Sequence, residues 1–304
     1  MGTPWTGCGT ALVTPFTETG ALDEKAIKSL AQRQIEAGVH FLVPCGTTGE
    51  SPTLTHTESL RVVELVLSES AGKVPVLAGA GGYDTRSTVK LAQELSKLGA
   101  DGLLSVAPYY NRPTQEGLYQ HFRTIADSVD SPIILYNVPS RTGCNIEVET
   151  QVRLADVPNI VGVKEASGNF LQMCTVCREV PNGFSVLSGD DAFTLALIAV
   201  GGSGVISVAA NEVPVQMTGL VNAALDSDLV TARSLHEQLL PLMQINFLES
   251  NPIPVKVALE LMGLTQARYR LPLVPPARAI RERIAAVLVD LGLIGADPHS
   301  AVSK

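Results

Sequence analysis

The sequence predicts a (β/α)8 (TIM) barrel followed by a C-terminal helical extension. Three observations predict it. Eight short apolar runs recur between residues 9 and 209, each separated from the next by a segment of helical periodicity. The runs are near-continuously apolar, as expected of strands covered on both faces of a parallel sheet. Beyond residue 225 the strand signal stops and only helical patterns remain.

The expected strands lie at 9–16 (GTALVTPF), 40–46 (HFLVPCG), 74–81 (VPVLAGAG), 102–108 (GLLSVAP), 132–139 (PIILYNVP), 160–166 (IVGVKEA), 184–190 (FSVLSGD) and 204–209 (GVISVA). The helical patterns fall at about 22–37, 55–71, 85–98, 114–128, 146–155, 169–180, 190–200 and 212–225. Asp23 and Glu24 open the first of these, and Gly38 and Gly99 close the first and third. Acidic first turns and terminal glycines are start and stop signals for helices. Pro75, Pro132 and Pro158 stand just before strands, where a helix must already have ended.

An open doubly wound sheet is the competing architecture. It would carry a glycine-rich fingerprint after its first strand. Here that strand runs into Thr14, Pro15 and Phe16, and the GAGG at 79–82 lacks the third glycine. Three more helices are expected at about 226–248, 253–262 and 276–292. Leu235, Leu239, Leu242 and Ile245 give the first an apolar stripe, suited to packing on the barrel exterior or on another subunit. The expected organisation is therefore a barrel over 1–225 and an extension over 226–304, with a frayed terminus from about Gly295.

Composition narrows the function. Hydrophobic residues make up 45% of the 304 positions and aromatics 5%, so the core must be mainly aliphatic. The net charge is −8 and no Lys/Arg block occurs, which argues against a nucleic-acid partner. No apolar run approaches a membrane span, and residues 1–8 show no basic segment leading into an apolar one. No membrane partner and a cytoplasmic location are expected. The five cysteines (Cys8, Cys45, Cys144, Cys174, Cys177) fit a reduced chain better than a disulfide framework. Cys174 and Cys177 have the spacing of a redox or zinc half-site, but they lie inside a helical pattern and have no second pair. No metal and no cofactor are expected.

In such barrels, sites form at the C-terminal ends of the strands. Lys164 stands at that end of the sixth strand. Strict alternation places Ile160, Gly162 and Lys164 on one face. The lysine can be a strand-end residue whose stem packs and whose ammonium reaches water. It can also be a partly buried amine that attacks carbonyls. The loop GTTGES (46–51) can turn backbone N–H groups inward as an anion nest, or form a plain hydroxyl-capped turn. Tyr109 and Tyr110 after the fourth strand suit packing or an interface. Ile134, Tyr136 and Val138 share a face, so Tyr136 can point into the barrel near its rim. Arg141 sits just beyond, suited to a bidentate carboxylate contact. A lysine, a tyrosine, hydroxyls, a nest and an arginine suit a keto acid held by its carboxylate and joined to lysine as an imine. The bottom-up reading is a lysine-dependent aldolase or dehydratase.

The stretches GTTGESPTL (46–54), PYYNRP (108–113), YNVPSRTG (136–143), GVKEASG (162–168), LSGDD (187–191) and GGSGVISVAAN (201–211) resemble the dihydrodipicolinate synthase family, within the wider pyruvate-lyase superfamily. The resemblance runs from about Gly7 to Leu293. It implies that Lys164 forms the Schiff base with pyruvate and that Tyr136 donates and accepts protons. It implies that Thr47 and Tyr110 are relay partners, with Tyr110 reaching into a neighbouring subunit's site. By the same resemblance Thr48 binds the pyruvate carboxylate, Gly189 and Ile206 make backbone contacts near the keto acid, and Arg141 engages the second substrate, L-aspartate 4-semialdehyde. The product implied is 4-hydroxy-tetrahydrodipicolinate, and the assembly implied is a homotetramer built from tight dimers. Arg141 favours the synthase over the sugar-acid lyases and 2-keto-3-deoxy acid aldolases of the superfamily. A non-catalytic keto-acid-binding barrel is the remaining alternative.

One departure stands out. In lysine-inhibited members the effector lies near the positions of Ser51, His56, Tyr83, Ser87 and Tyr109. A carboxylate usually stands where this chain has Ser87, an amide where it has Tyr83, and a histidine where it has Ser59. Weak or absent inhibition by lysine is expected.

Overall fold

The computed structural model describes residues 5–295. Its elements are, in chain order, β1 (Gly7–Ala11), α1 (Glu24–Glu36), β2 (Phe41–Val43), α2 (His56–Ser70), β3 (Leu77–Gly79), α3 (Thr85–Leu98), β4 (Gly102–Val106) and α4 (Gln115–Ala126). Then follow β5 (Ile133–Asn137), α5 (Pro139–Thr142), α6 (Val148–Ala155), β6 (Ile160–Glu165), α7 (Phe170–Glu179), β7 (Ser185–Ser188), α8 (Thr194–Ala199), β8 (Gly204–Ser207) and α9 (Pro214–Leu225). The extension is α10 (Leu229–Ile245), α11 (Ile253–Leu261) and α12 (Arg278–Asp290). The frayed terminus expected beyond Gly295 lies outside the described residues.

The strands pair in parallel in the order β2-β1-β8-β7-β6-β5-β4-β3. The β2–β3 seam is brought together by Leu42 N–H on Pro75 O (2.9 Å) and Gly79 N–H on Pro44 O (3.0 Å). The sheet is thus a nearly closed barrel. All eight expected runs supply a strand, but the strands are shorter than the runs. Leu12 N–H still reaches Val43 O at 3.0 Å, whereas Val13 N–H turns to the Asn211 side chain. Pro15 has no N–H to continue a ladder. β2 stops before Cys45, whose φ of 57° turns the chain.

Helix starts follow local chemistry. Thr55 and Glu58 form a capping box on α2: the Thr55 hydroxyl accepts from Glu58 N, and the Glu58 carboxylate accepts from Thr55 N. Asp23, Asp84, Thr114 and Asn169 cap α1, α3, α4 and α7 in the same sense.

Two apolar layers result. Ala11, Val43, Leu77, Leu104, Ile134, Leu187 and Ile206 fill the barrel interior, with Trp5 against Phe41 closing its lower end. A larger layer lies between strands and helices. α10 and α12 share a third cluster with α9 and the outer faces of β1 and β8. No described helix is long and apolar enough to cross a membrane.

Strict alternation fails in β6. The β5–β6 register shifts between Ile133, opposite Ile160, and Ile134, opposite Gly162. Val161 is the extra residue of this bulge. It packs with the barrel interior, while Ile160 joins the outer layer. The expectation that Ile160 shares a face with Gly162 and Lys164 is thereby corrected: one inserted residue inverts the phase of everything before it. Gly162 and Lys164 keep theirs.

Candidate active site

A cleft of about 600 Å³ opens at the C-terminal ends of the strands. Lys164 comes to it from β6, one residue before the strand ends, and is 5% exposed. Its Cα pairs with that of Tyr136 on β5 and that of Leu187 on β7. Its Nζ is 4.5 Å from the centroid of the Tyr136 ring. A side chain at Gly162 would meet Ile134 Cδ1 at 2.7 Å, so glycine there lets the interior pack below the lysine.

Glu165 fixes the strand end from behind. It is fully buried, and no cation faces it among the described residues. Its carboxylate accepts from Asn137 Nδ2 (3.1 Å to each oxygen), Gln151 Nε2 (2.9 Å), Gln172 Nε2 (3.2 Å) and Ser167 N (2.8 Å). The cage spans β5, α6, β6 and α7. Gln151 Oε1 is left without a partner among the described residues, but the carboxylate itself accepts from four groups, which give it one well-defined geometry.

Thr47 and Thr48 line the cleft from the loop after β2. Gly49 N–H and Glu50 N–H close a tight turn on Gly46 O and Thr47 O, each at 3.1 Å. The N–H groups of Thr47 and Thr48 have no acceptor among the described residues, which leaves them available to an anion. Thr48 Oγ1 accepts from Asn251 Nδ2 at 2.9 Å.

Arg141 lies on α5, a four-residue helix begun by Pro139 at its first position and ended by Gly143 at φ 73°. Arg141 reaches back to Asn251 O at 3.3 Å. Gly189 closes the far side. Its N–H binds Glu165 O at 2.8 Å, and a side chain there would press on Lys164 Cε at 3.1 Å and Ala166 Cβ at 2.6 Å. Asp191, buried beside it, accepts from Val208 N and Ala209 N at 3.0 Å each and so ties the end of β8 to the β7 loop. Burial pushes the Asp191 carboxyl up.

Six of the eight residues singled out from sequence therefore meet in one cleft: Lys164, Tyr136, Thr47, Thr48, Arg141 and Gly189. Ile206 does not line it; its side chain fills the barrel interior, and Val208 lines the cleft instead. Tyr110 does not line it either. It is 91% exposed, at a left-handed φ of 72°. No hydrogen bond joins the Thr47 and Tyr136 hydroxyls among the described residues. Sequence reasoning missed the whole 247–251 segment, which lines the mouth from the link between α10 and α11. The Asn251-Pro252 pair is a turn signal, but nothing local says that the turn covers a barrel. Cys174 and Cys177 lie on α7, both free, with the Cys177 thiol pushed up to about 11 by burial.

Comparison with known proteins agrees with this geometry. The model of the dihydrodipicolinate synthetase family matches residues 4–291. The 4-hydroxy-tetrahydrodipicolinate synthase of Koribacter versatilis is 50% identical over 95% of this chain and 96% of its own. The chloride-inhibited dihydrodipicolinate synthase of Acinetobacter baumannii, solved with pyruvate, is 42% identical, with a TM-score of 0.94 over 95% of this chain and 99% of its own. A dihydrodipicolinate synthase described as the first monomeric variant is 44% identical, with a TM-score of 0.94 over 96% and 98%. A barrel with a lysine at the end of β6, a tyrosine beside it on β5, and a match over nearly the full length lead to one statement: this chain belongs to the dihydrodipicolinate synthetase family.

Proposed function

We propose that the chain is a 4-hydroxy-tetrahydrodipicolinate synthase, a lyase that condenses pyruvate with L-aspartate 4-semialdehyde on the way to diaminopimelate and lysine. The observation that carries this reading is the placement of Lys164 and Tyr136 side by side at the mouth, with the free N–H groups of Thr47 and Thr48 across the cleft and Arg141 at its edge.

The Lys164 amine attacks C2 of pyruvate. The carbonyl oxygen takes up two protons, one of them from the attacking amine, and leaves as water, and the lysine nitrogen remains as a protonated imine. The threonine N–H groups hold the pyruvate carboxylate. Loss of a C3 proton gives the enamine, whose C3 attacks the aldehyde carbon of the second substrate while the aldehyde oxygen takes up a proton. The second substrate's amino group then adds to C2 and displaces the lysine nitrogen, which closes the ring and frees Lys164. Tyr136 carries protons through these steps. Arg141 holds the second substrate's carboxylate. The scheme needs no metal and no cofactor.

Tyr110 supports an oligomer. An aromatic side chain this exposed, on a strained backbone, suits an insertion into a second copy's site. A dimer would supply it, and a homotetramer of two such dimers is the assembly we propose, in the cytoplasm.

The test is incubation with pyruvate, borohydride reduction and mass mapping, followed by turnover with L-aspartate 4-semialdehyde. A reduced pyruvyl adduct on Lys164 together with turnover is expected. Turnover of sialic acid or a 2-keto-3-deoxy sugar acid in its place would move the chain to another branch. Absence of any adduct would sink the reading.

A further inference from the structure

The C-terminal extension reaches the substrate-binding loop through a buried ion pair. Lys256 of α11 is fully buried, and its ammonium lies against the carboxylate of Glu50, itself 2% exposed. Lys256 Nζ also donates to Arg268 O at 2.8 Å and lies 4.4 Å from the centre of the Phe16 ring. Glu50 is the last residue of the turn that presents Thr47 and Thr48. It holds a left-handed φ of 54°, a conformation that a side-chain-bearing residue keeps only when its surroundings impose it.

The surroundings here come from the extension. Asn251 binds the Thr48 hydroxyl and the Arg141 guanidinium. Arg270 N–H approaches the second Glu50 oxygen at 3.5 Å. The Arg270 guanidinium grips Glu58 at 2.6 and 2.8 Å and the carbonyls of Thr53 and Gly20 at 2.9 and 2.6 Å. The turn is thus held from both ends by residues about 200 positions away in the chain.

Stability alone does not account for a charged pair in this place. Two buried ions lose their hydration, and an apolar pair of similar volume is commonly as stable or more so. Burial pulls the Lys256 ammonium down to about 8, so its partners offset only part of that loss. What the pair adds over an apolar contact is direction: the ammonium fixes where the Glu50 carboxylate sits, and with it the end of the turn.

We infer that Lys256 and Glu50 are positioning residues for the keto acid. By setting the 46–50 turn they aim the Thr47 and Thr48 N–H groups at the substrate carboxylate, and they make pyruvate affinity depend on the C-terminal extension. This rests on the function proposed above and adds a determinant of substrate binding that never touches the substrate.

The test compares wild type, Glu50→Gln, and the double variant Glu50→Leu with Lys256→Met. The readouts are the pyruvate concentration for half-maximal borohydride trapping on Lys164, KM and kcat in turnover, and Tm. In Glu50→Gln half-saturation and KM for pyruvate should rise about tenfold, with kcat at saturating pyruvate little changed, as for loss of ground-state positioning. The double variant should recover wild-type Tm, because no unpaired charge remains, but not wild-type affinity. Folded variants with wild-type half-saturation would overturn the inference while leaving the proposed function intact. Absence of an adduct in wild type would overturn both. Should the double variant fail to fold, Glu50→Gln alone decides between the two outcomes.

Discussion

Lys164 Nζ stands 4.5 Å from the centroid of the Tyr136 ring, across the pairing of β6 with β5. The register makes these residues direct Cα partners, so their separation is set by the sheet rather than by a loop. Glu165, the next residue on β6, is locked by the amides of Asn137, Gln151 and Gln172. The lysine is therefore pinned from both sides: by its strand partner in the cleft and by a caged carboxylate behind it.

Removing the phenol tests the proton relay. Tyr136→Phe keeps the ring over the lysine and loses only the hydroxyl. Turnover should fall by roughly 10²–10⁴, the usual range for a general acid–base group, while the reduced pyruvyl adduct still forms on Lys164. Unchanged turnover would rule the relay out.

Gly189→Ala tests the wall of the cleft. The added methyl would stand 2.6 Å from Ala166 Cβ and 3.1 Å from Lys164 Cε. Ala166 has no side-chain torsion with which to retreat, so the backbone at Gly189 or at the end of β6 must shift, and the lysine chain shifts with it. Adduct formation should slow on the order of 10²-fold, as for a reacting group misplaced by about 1 Å, with the fold retained. Wild-type trapping rates in this variant would show that the cleft tolerates the methyl.

Arg141→Met separates the two substrates. The guanidinium is exposed at the rim and, among the described residues, held only by Asn251 O at 3.3 Å, so it is free to pair with an incoming carboxylate. KM for L-aspartate 4-semialdehyde should rise roughly 10–100-fold, the range for a lost hydrogen bond to a charged group, with pyruvate trapping unaffected. A parallel loss of pyruvate trapping would place Arg141 on the first substrate instead.

Lysine should inhibit weakly or not at all. A cavity of about 280 Å³ lined by Ser51, Ser59, Leu91 and Tyr109 adjoins the cleft, and its lining holds an arginine but no carboxylate. Ser87, at the position where lysine-inhibited members carry a carboxylate, donates its hydroxyl to Asp84 at 2.5 Å. His56 is paired with Glu94 at 2.5 Å. An ammonium entering this cavity would lose water without gaining a charged partner. Half-maximal inhibition of turnover at sub-millimolar lysine would contradict this.

How much of this was legible in the sequence follows from what each feature depends on. The eight strands were legible because a doubly covered parallel strand leaves a continuous apolar run, and Lys164 and Tyr136 were legible because a site in this fold sits where such runs end, whereas Gly189 was singled out only by the family resemblance. The bulge at Val161 was not, since reading faces by alternation assumes no inserted residue. α5 was not legible either, because it has only four residues, too few for a period. Asn251 was invisible for another reason: its partner Thr48 is 203 positions away, and no local pattern encodes that contact.

The pH dependence of stability should carry the mark of His121. Its ring is 5% exposed, with Nδ1 2.8 Å from Thr85 Oγ1 and an edge contact to Phe122. Burial lowers its pKa from 6.5 to about 4, against a smaller opposing effect of Asp84. Between these values the unfolded chain binds a proton that the folded chain refuses, so stability falls as pH drops from about 6.5 toward 4. Above 6.5 both states are neutral and the residue contributes no slope. The full loss is on the order of 3 kcal/mol. His40, also lowered by burial, acts in the same direction. Glu58, held at about 2 by Arg270, adds its own loss only as pH falls below about 4.5. Asp191 and Glu212, both raised by burial, act the other way over this range, so His121 is isolated by comparing wild type with variant between pH 7 and pH 5 rather than by the pH change alone. His121→Leu should lose less Tm than wild type between these two pH values, the remainder being the balance of His40 against Asp191 and Glu212. An equal drop in wild type and variant would mean that His121 takes up its proton in the folded state as readily as in the unfolded one.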